Sequence, residues 1–109
     1  HDWLFPRCSV VVHHCGAGTS QQAARSGVPS IPVPFTADQP FWATRLHDLG
    51  IASAPLNPRK LAAEDIRNAL AQAMSESTRQ RALSVAQQMA AEPDGVTTAI
   101  ERLQRLTIR

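Results

Sequence analysis

The sequence predicts an α/β fold, a three-layer arrangement around a parallel sheet, on three observations. A short apolar, β-branched run from Cys8 to His13 has the composition of a buried parallel strand. A turn of small residues, His14-Cys15-Gly16-Ala17-Gly18, follows it directly. Beyond the turn stand helix formers, Gln21 to Arg25, and then a second apolar run, Ser30 to Pro34. Strand, glycine-rich turn, helix and strand make one βαβ unit, and such units build parallel sheets.

Taken in order, the first strand covers Cys8 to His13 and the first helix Thr19 to Ser26, with Gly27 as its C′ residue. The prolines of the second strand, Pro32 and Pro34, argue for a strand near an edge or near its end. Asp38 is placed to cap the next helix and Pro40 to sit in its first turn. Phe41, Trp42, Leu46 and Leu49 give that helix its apolar spacing before Gly50 ends it, and Trp3 and Trp42 read as packing residues. Ile51 to Leu56 suits a last short strand, broken at Asn57-Pro58. The remainder is helical, with apolar stripes at Ile66, Leu70, Ala73 and Met74, at Ala82, Val85, Ala86 and Met89, and at Val96, Ala99, Ile100 and Leu103. A doubly wound domain needs more strands than these. Residues 1–109 are therefore expected to form the second half of one, its opening strands upstream. Sheet edge and apolar surface left uncovered in this way favour self-association.

Composition removes several function classes. A length of 109 residues suits about one domain, and 43% apolar residues suffice for a core. The net charge of +2, with basic residues scattered rather than clustered among aromatics, speaks against nucleic acid. No apolar stretch approaches the roughly 18 residues of a membrane span. The chain opens on His1-Asp2-Trp3 without a signal-peptide pattern, as if cut from something longer. Cys8 and Cys15 stand at the two ends of a strand, too far apart to bridge, which suggests thiols in a reducing cytoplasm.

The turn between strand and helix carries the chemistry. The first amides of a helix lack internal partners and its dipole adds positive charge there, so an anion is stabilised. Gly16 and Gly18 let a phosphate approach the backbone and permit positive φ if the turn needs it, Thr19 and Ser20 offer hydroxyls, and His14 offers a ring N–H. The site lies at the carboxyl end of a strand, where open α/β sheets bind ligands. A plain strand-to-helix turn with no ligand is the competing reading. The turn is not a P-loop, since no Gly-Lys-Ser/Thr follows, and it lacks the third glycine of the dinucleotide fingerprint. His13 and His14 point to opposite faces of a strand, so zinc held with Cys8 and Cys15 is not expected. No nucleophile elbow is present. His47 reads as a solvated residue on a polar helical face, and Arg25 and Arg45 read as surface charges.

These blocks, His1-Asp-Trp-Leu-Phe-Pro-Arg7, Val10-Val-Val-His-His-Cys-Gly-Ala-Gly-Thr19, Ala24-Arg-Ser-Gly-Val-Pro29, then Pro34 and Asp38-Gln39, resemble in order the donor-binding signature of family 1 glycosyltransferases of the GT-B type. The opening block is most similar to the sterol 3-β-glucosyltransferase branch and its bacterial relatives. The resemblance implies the carboxy-terminal, donor-binding part of a Rossmann-like domain. It implies transfer of a hexose, glucose from UDP-glucose, with inversion, to a hydroxyl of a lipid, sterol-like or other small acceptor. It assigns His14, Gly16, Ala17, Gly18 and Thr19 to the donor diphosphate, Asp38 and Gln39 to the sugar hydroxyls, and His1 to the nucleoside. It implies no cofactor and no metal, the UDP-sugar being a co-substrate. The protein's own amino-terminal domain would be a partner, and a lipid acceptor would bring peripheral membrane contact. The catalytic base would lie in that other domain, so none of these residues is catalytic and none of the four histidines takes that role. A nucleotide-binding or assembly module without activity, and a UDP-sugar epimerase on the same fold, stay open as alternatives.

Overall fold

The computed structural model describes residues 8–91. The block His1 to Arg7, with His1 and Trp3, and the stripe at Val96, Ala99, Ile100 and Leu103 lie outside the described residues. Six elements follow in order: β1 (Val11–His13), α1 (Ala17–Ser26), β2 (Ser30–Pro32), α2 (Gln39–Asp48), α3 (Ala63–Ala73) and α4 (Glu76–Ala91). β1 and β2 are parallel, with Val11 opposite Ser30, Val12 opposite Ile31 and His13 opposite Pro32. The βαβ unit is present, with β1 confined to the last three residues of the expected strand.

Pro32 is the last residue of β2, as the prolines suggest, and β2 also meets a neighbour on its second side. Ser30 forms a parallel bridge to Ala52, through Ser30 N–H to Ile51 O and Ser53 N–H to Ser30 O, each 3.0 Å. The expected third strand at Ile51 to Leu56 is thus reduced to one bridge. Pro32 gives the reason. It ends β2, its carbonyl accepts the Leu56 amide at 2.9 Å, and it has no N–H to extend the ladder on that side.

Successive strand residues face opposite ways. Val11 packs with Ala23 of α1 and with Val28, while Ile31 packs against Ala69 and Ala73 of α3. Helices therefore cover both faces of the sheet, in three layers. The largest core cluster lies beside the sheet, where Trp42, Ala43 and Leu46 of α2 meet Ala82, Val85 and Met89 of α4, with Ile51, Ala52 and Cys15 between them. The α4 stripe is buried as its periodicity predicts. The α3 stripe is not: Ala69 and Ala73 are buried, whereas Ile66, Leu70 and Met74 are 43%, 40% and 50% exposed. Small side chains let α3 approach the sheet closely, and its larger residues flank that contact. Val12 is also left 63% exposed. Gly27 ends α1 at φ 73° and Gly50 follows α2 at φ 84°, the left-handed positions that glycine tolerates best.

Arg45 is not a surface charge. Its side chain is 13% exposed, its guanidinium lies 4.4 Å from the centre of the Phe41 ring, and it approaches Asp48 at 3.9 Å. His47 is also more than a solvated residue, since its Nδ1–H donates to the Ala52 carbonyl at 3.1 Å and ties α2 to the bridge segment.

Candidate functional site

The turn between β1 and α1 is built from the inside outward. Cys15 is fully buried in the main core cluster, and its backbone is left-handed at φ 69°. The sequence suggested that Gly16 or Gly18 would supply any positive φ. Gly16 instead has φ −62° and ψ 154°, as the N-cap of α1, so the strained position belongs to a cysteine. Burial pushes the Cys15 thiol up to about 12, while the neighbouring Ser20 side chain acts the other way more weakly, so this sulfur is an inert packing group. Cys8 and Cys15 are not joined in a disulfide.

His13 and His14 diverge, as alternation along a strand requires. The His13 ring is buried. Its Nδ1 accepts the Cys15 N–H at 3.1 Å, which leaves the proton on Nε2, and that N–H donates to Ser30 Oγ at 2.9 Å. Burial, and secondarily the neighbouring His14, lower its pKa from 6.5 to about 4, so the ring is neutral. With both nitrogens engaged, His13 has none left for a metal. His14 is exposed and its Nδ1–H donates to the Val33 carbonyl at 3.2 Å, with the Phe35 ring standing edge-on at 4.6 Å. A carbonyl only accepts, so Nδ1 carries a proton, and Nε2 makes no hydrogen bond among the described residues. To donate to an anion there, the ring must carry its second proton as well.

α1 begins at Ala17, earlier than the Thr19 start expected from the sequence. Its first internal bond is Ser20 N–H to Gly16 O at 2.9 Å. The amides of Ala17, Gly18 and Thr19 precede that bond and point out of the helix end beside His14. A Cβ built on Gly16 or Gly18 meets nothing within 4 Å among the described residues. These glycines therefore answer no packing demand among the described residues, and those residues leave room at the helix end for an incoming group. Ser20, expected to offer a hydroxyl, is 3% exposed and faces the core beside Cys15, so the structure removes it from the donor set.

The second group of expected residues sits where β2 runs into α2. Asp38 precedes α2 but makes no side-chain cap. Its Oδ2 instead accepts the Trp42 indole N–H at 3.0 Å, leaving Oδ1 of this exposed residue as an acceptor. Gln39 uses its Oε1 on the amides of Phe35 and Thr36, at 2.8 and 3.1 Å, leaving its amide N–H groups as donors. Ala37, between Thr36 and Asp38, is left-handed at φ 56°. The two turns are connected, because Val33 and Phe35 both touch His14. The structure thus brings together His14, Gly16, Ala17, Gly18 and Thr19, and places Asp38 and Gln39 on the adjoining turn. Sequence reasoning missed His13, Val33 and Phe35. Only the strand register, which sets Val11 opposite Ser30 and His13 opposite Pro32, reveals the partners of His13.

The model of the erythromycin biosynthesis protein CIII-like C-terminal domain matches residues 2–106. A sterol 3-beta-glucosyltransferase of Arabidopsis thaliana is 36% identical over 105 residues, which are 96% of this chain and 17% of that protein. A sterol 3-beta-glucosyltransferase of Candida albicans is 43% identical over 104 residues, 94% of this chain and 7% of that one. Among solved structures, spinosyn forosaminyltransferase SpnP superposes with a TM-score of 0.77 at 29% identity, over 99% of this chain and 29% of its own. A glycotransferase of kitacinnamycin superposes with a TM-score of 0.76 at 27% identity, over 92% of this chain and 26% of its own. The chain spans a small part of the length of each.

Proposed function

The chain belongs to the family of erythromycin biosynthesis protein CIII-like C-terminal domains, and from that premise we propose that it holds the nucleotide-sugar donor of a glycosyltransferase. The diphosphate lies against the amides of Ala17, Gly18 and Thr19, with His14 Nε2–H donating to one of its oxygens. Asp38 Oδ1 accepts from a sugar hydroxyl and Gln39 donates to one. The donor is UDP-glucose and the acceptor a hydroxyl of a lipid, sterol-like or other small molecule. The similar plant and fungal proteins are sterol 3-beta-glucosyltransferases, which supports transfer over epimerisation or mere assembly.

The chemistry asked of these residues is electrostatic. As the acceptor oxygen attacks the anomeric carbon and the bond to the diphosphate breaks, the electron pair leaves with UDP. Negative charge then grows at the end of α1. Fixed amide dipoles and a protonated His14 stabilise it more in the transition state than in the ground state. Attack from the face opposite the leaving group inverts the configuration. The base that takes the acceptor proton belongs to the protein's amino-terminal domain, and His1 is the residue assigned to the nucleoside.

One observation carries this reading. Among the described residues no packing demand explains the two glycines at the start of α1, and the exposed His14, held through Nδ1 by the Val33 carbonyl, precedes them in the chain. Turnover of UDP-glucose by the intact protein tests it. His14→Ala is expected to lower kcat by about 10²- to 10³-fold, the usual loss for one charge-stabilising donor, in a protein that stays folded. Gly18→Val is expected to weaken UDP binding by at least about tenfold without loss of stability, since valine is no worse than glycine in a helix. Wild-type turnover in the first variant, or unchanged UDP affinity in the second, would refute the assignment.

A further inference from the structure

We propose that His13 is a positioning residue of the donor site, whose buried ring holds the Cys15 amide and the Ser30 hydroxyl and so fixes the left-handed turn from which His14 and the first amides of α1 face the diphosphate. The proposal rests on the donor reading above and adds to it a residue that touches no part of the donor.

The turn has a specific problem to solve. At φ 69° Cys15 leaves the strand direction, so its N–H cannot continue the ladder between β1 and β2. The residue is wholly buried, and water cannot take that N–H. His13 Nδ1 takes it at 3.1 Å. A hydrophobic side chain would fill the same volume and leave the amide without an acceptor. The left-handed state is unfavourable for any residue with a Cβ, and it persists because the bond to His13 and the packing of the Cys15 side chain hold it.

The same ring anchors the turn to the next strand. His13 Nε2–H donates to Ser30 Oγ at 2.9 Å, and the His13 carbonyl accepts the Val33 N–H at 2.8 Å. The Val33 carbonyl in turn receives the His14 ring at 3.2 Å. His13 therefore contacts β2 at Ser30 and its extension at Val33, the residue that orients His14. Rotating or removing the His13 ring loosens Cys15, and with it the direction of His14 and of the Gly16-Ala17-Gly18 segment. His13 does not meet the donor itself, because both of its nitrogens are committed and its ring is buried.

Calorimetric titration of UDP into the intact protein separates the possibilities, with the thermal midpoint recorded for each variant. His13→Phe keeps the volume and loses both bonds. His13→Asn keeps an acceptor oxygen near the Nδ1 position and loses the reach to Ser30. Ser30→Ala leaves the ring and its bond to Cys15. In folded protein, His13→Phe is expected to weaken UDP binding by about tenfold or more, while His13→Asn and Ser30→Ala stay within about threefold of wild type. A structural role alone would lower the midpoint and leave the affinity of the folded protein unmoved. That result overturns the proposal, as does equal weakening in His13→Phe and His13→Asn. If His13→Phe does not fold, nitrogen-15 NMR of the wild-type imidazole decides. A neutral ring protonated on Nε2 at pH 7 supports the proposal, and one protonated on Nδ1 ends it. Wild-type protein that fails to bind UDP removes the donor reading itself, and the positioning role with it. UDP binding that is indifferent to the three variants removes only the positioning role.

Discussion

The two turns that face the candidate site use the same backbone device with different support. Each places a non-glycine residue in the left-handed region shortly before a helix, Cys15 at φ 69° before α1 and Ala37 at φ 56° before α2. Cys15 is buried in the main core and its amide is held by the buried His13 ring. Ala37 is exposed, and its turn is held by the Gln39 side chain and by Gln39 N–H to Thr36 O at 3.1 Å. In the proposed donor reading, the core-held turn is the one that would meet the diphosphate, the group common to every nucleotide-sugar donor. The exposed turn, with Asp38 and Gln39, would meet the sugar, the part that differs from donor to donor.

Acid should set the two turns apart most strongly. The folded pKa of His13 is about 4 against an ordinary 6.5, so the unfolded chain binds the extra proton first. The stability that the neutral ring contributes is complete above pH 6.5 and is lost as pH falls from there toward 4. Its size is on the order of 3 kcal/mol. Urea unfolding between pH 7 and 4.5 should therefore show a steeper loss for wild type than for His13→Asn, which has no ring to protonate. Parallel pH profiles would mean that the first turn does not depend on a neutral His13.

A pair of glycine substitutions sharpens the comparison on a smaller scale. Cys15→Gly relieves left-handed strain worth about 1–2 kcal/mol but empties a fully buried site, and a net destabilisation of about 1 kcal/mol is expected. Ala37→Gly relieves the same strain and removes only an exposed methyl. A gain of a few tenths to about 1 kcal/mol is expected in the thermal midpoint experiment, after the entropic cost of glycine. Opposite signs would confirm that one turn is fixed by core packing and the other is not. Equal signs would contradict it.

How far the sequence carries can be seen residue by residue. The βαβ unit, the helix stops at Gly27 and Gly50, the buried face of α4 and the opposite orientations of His13 and His14 are local or periodic features, and periodicity is written in the chain. The left-handed residue was expected at a glycine and stands at Cys15. Glycine permits positive φ, but which residue of a turn adopts it is decided by the packing of its neighbours. Ser20 and Thr19 are indistinguishable as hydroxyls in the sequence. One is buried and the other half-buried only because of where α1 begins and which way it is rolled against the core. The roles of His13, Arg45 and His47 depend on partners at Ser30, Phe41 and Ala52, and the first and last of these follow from strand register and the course of the bridge segment.

Whether a diphosphate rests on the end of α1 is decided by a crystal structure of the intact protein with UDP bound. Phosphate oxygens are expected within hydrogen-bonding distance of the Ala17, Gly18 and Thr19 amides and of His14 Nε2, with Cys15 still left-handed. UDP bound away from that helix end, with those amides unoccupied, would refute the donor reading.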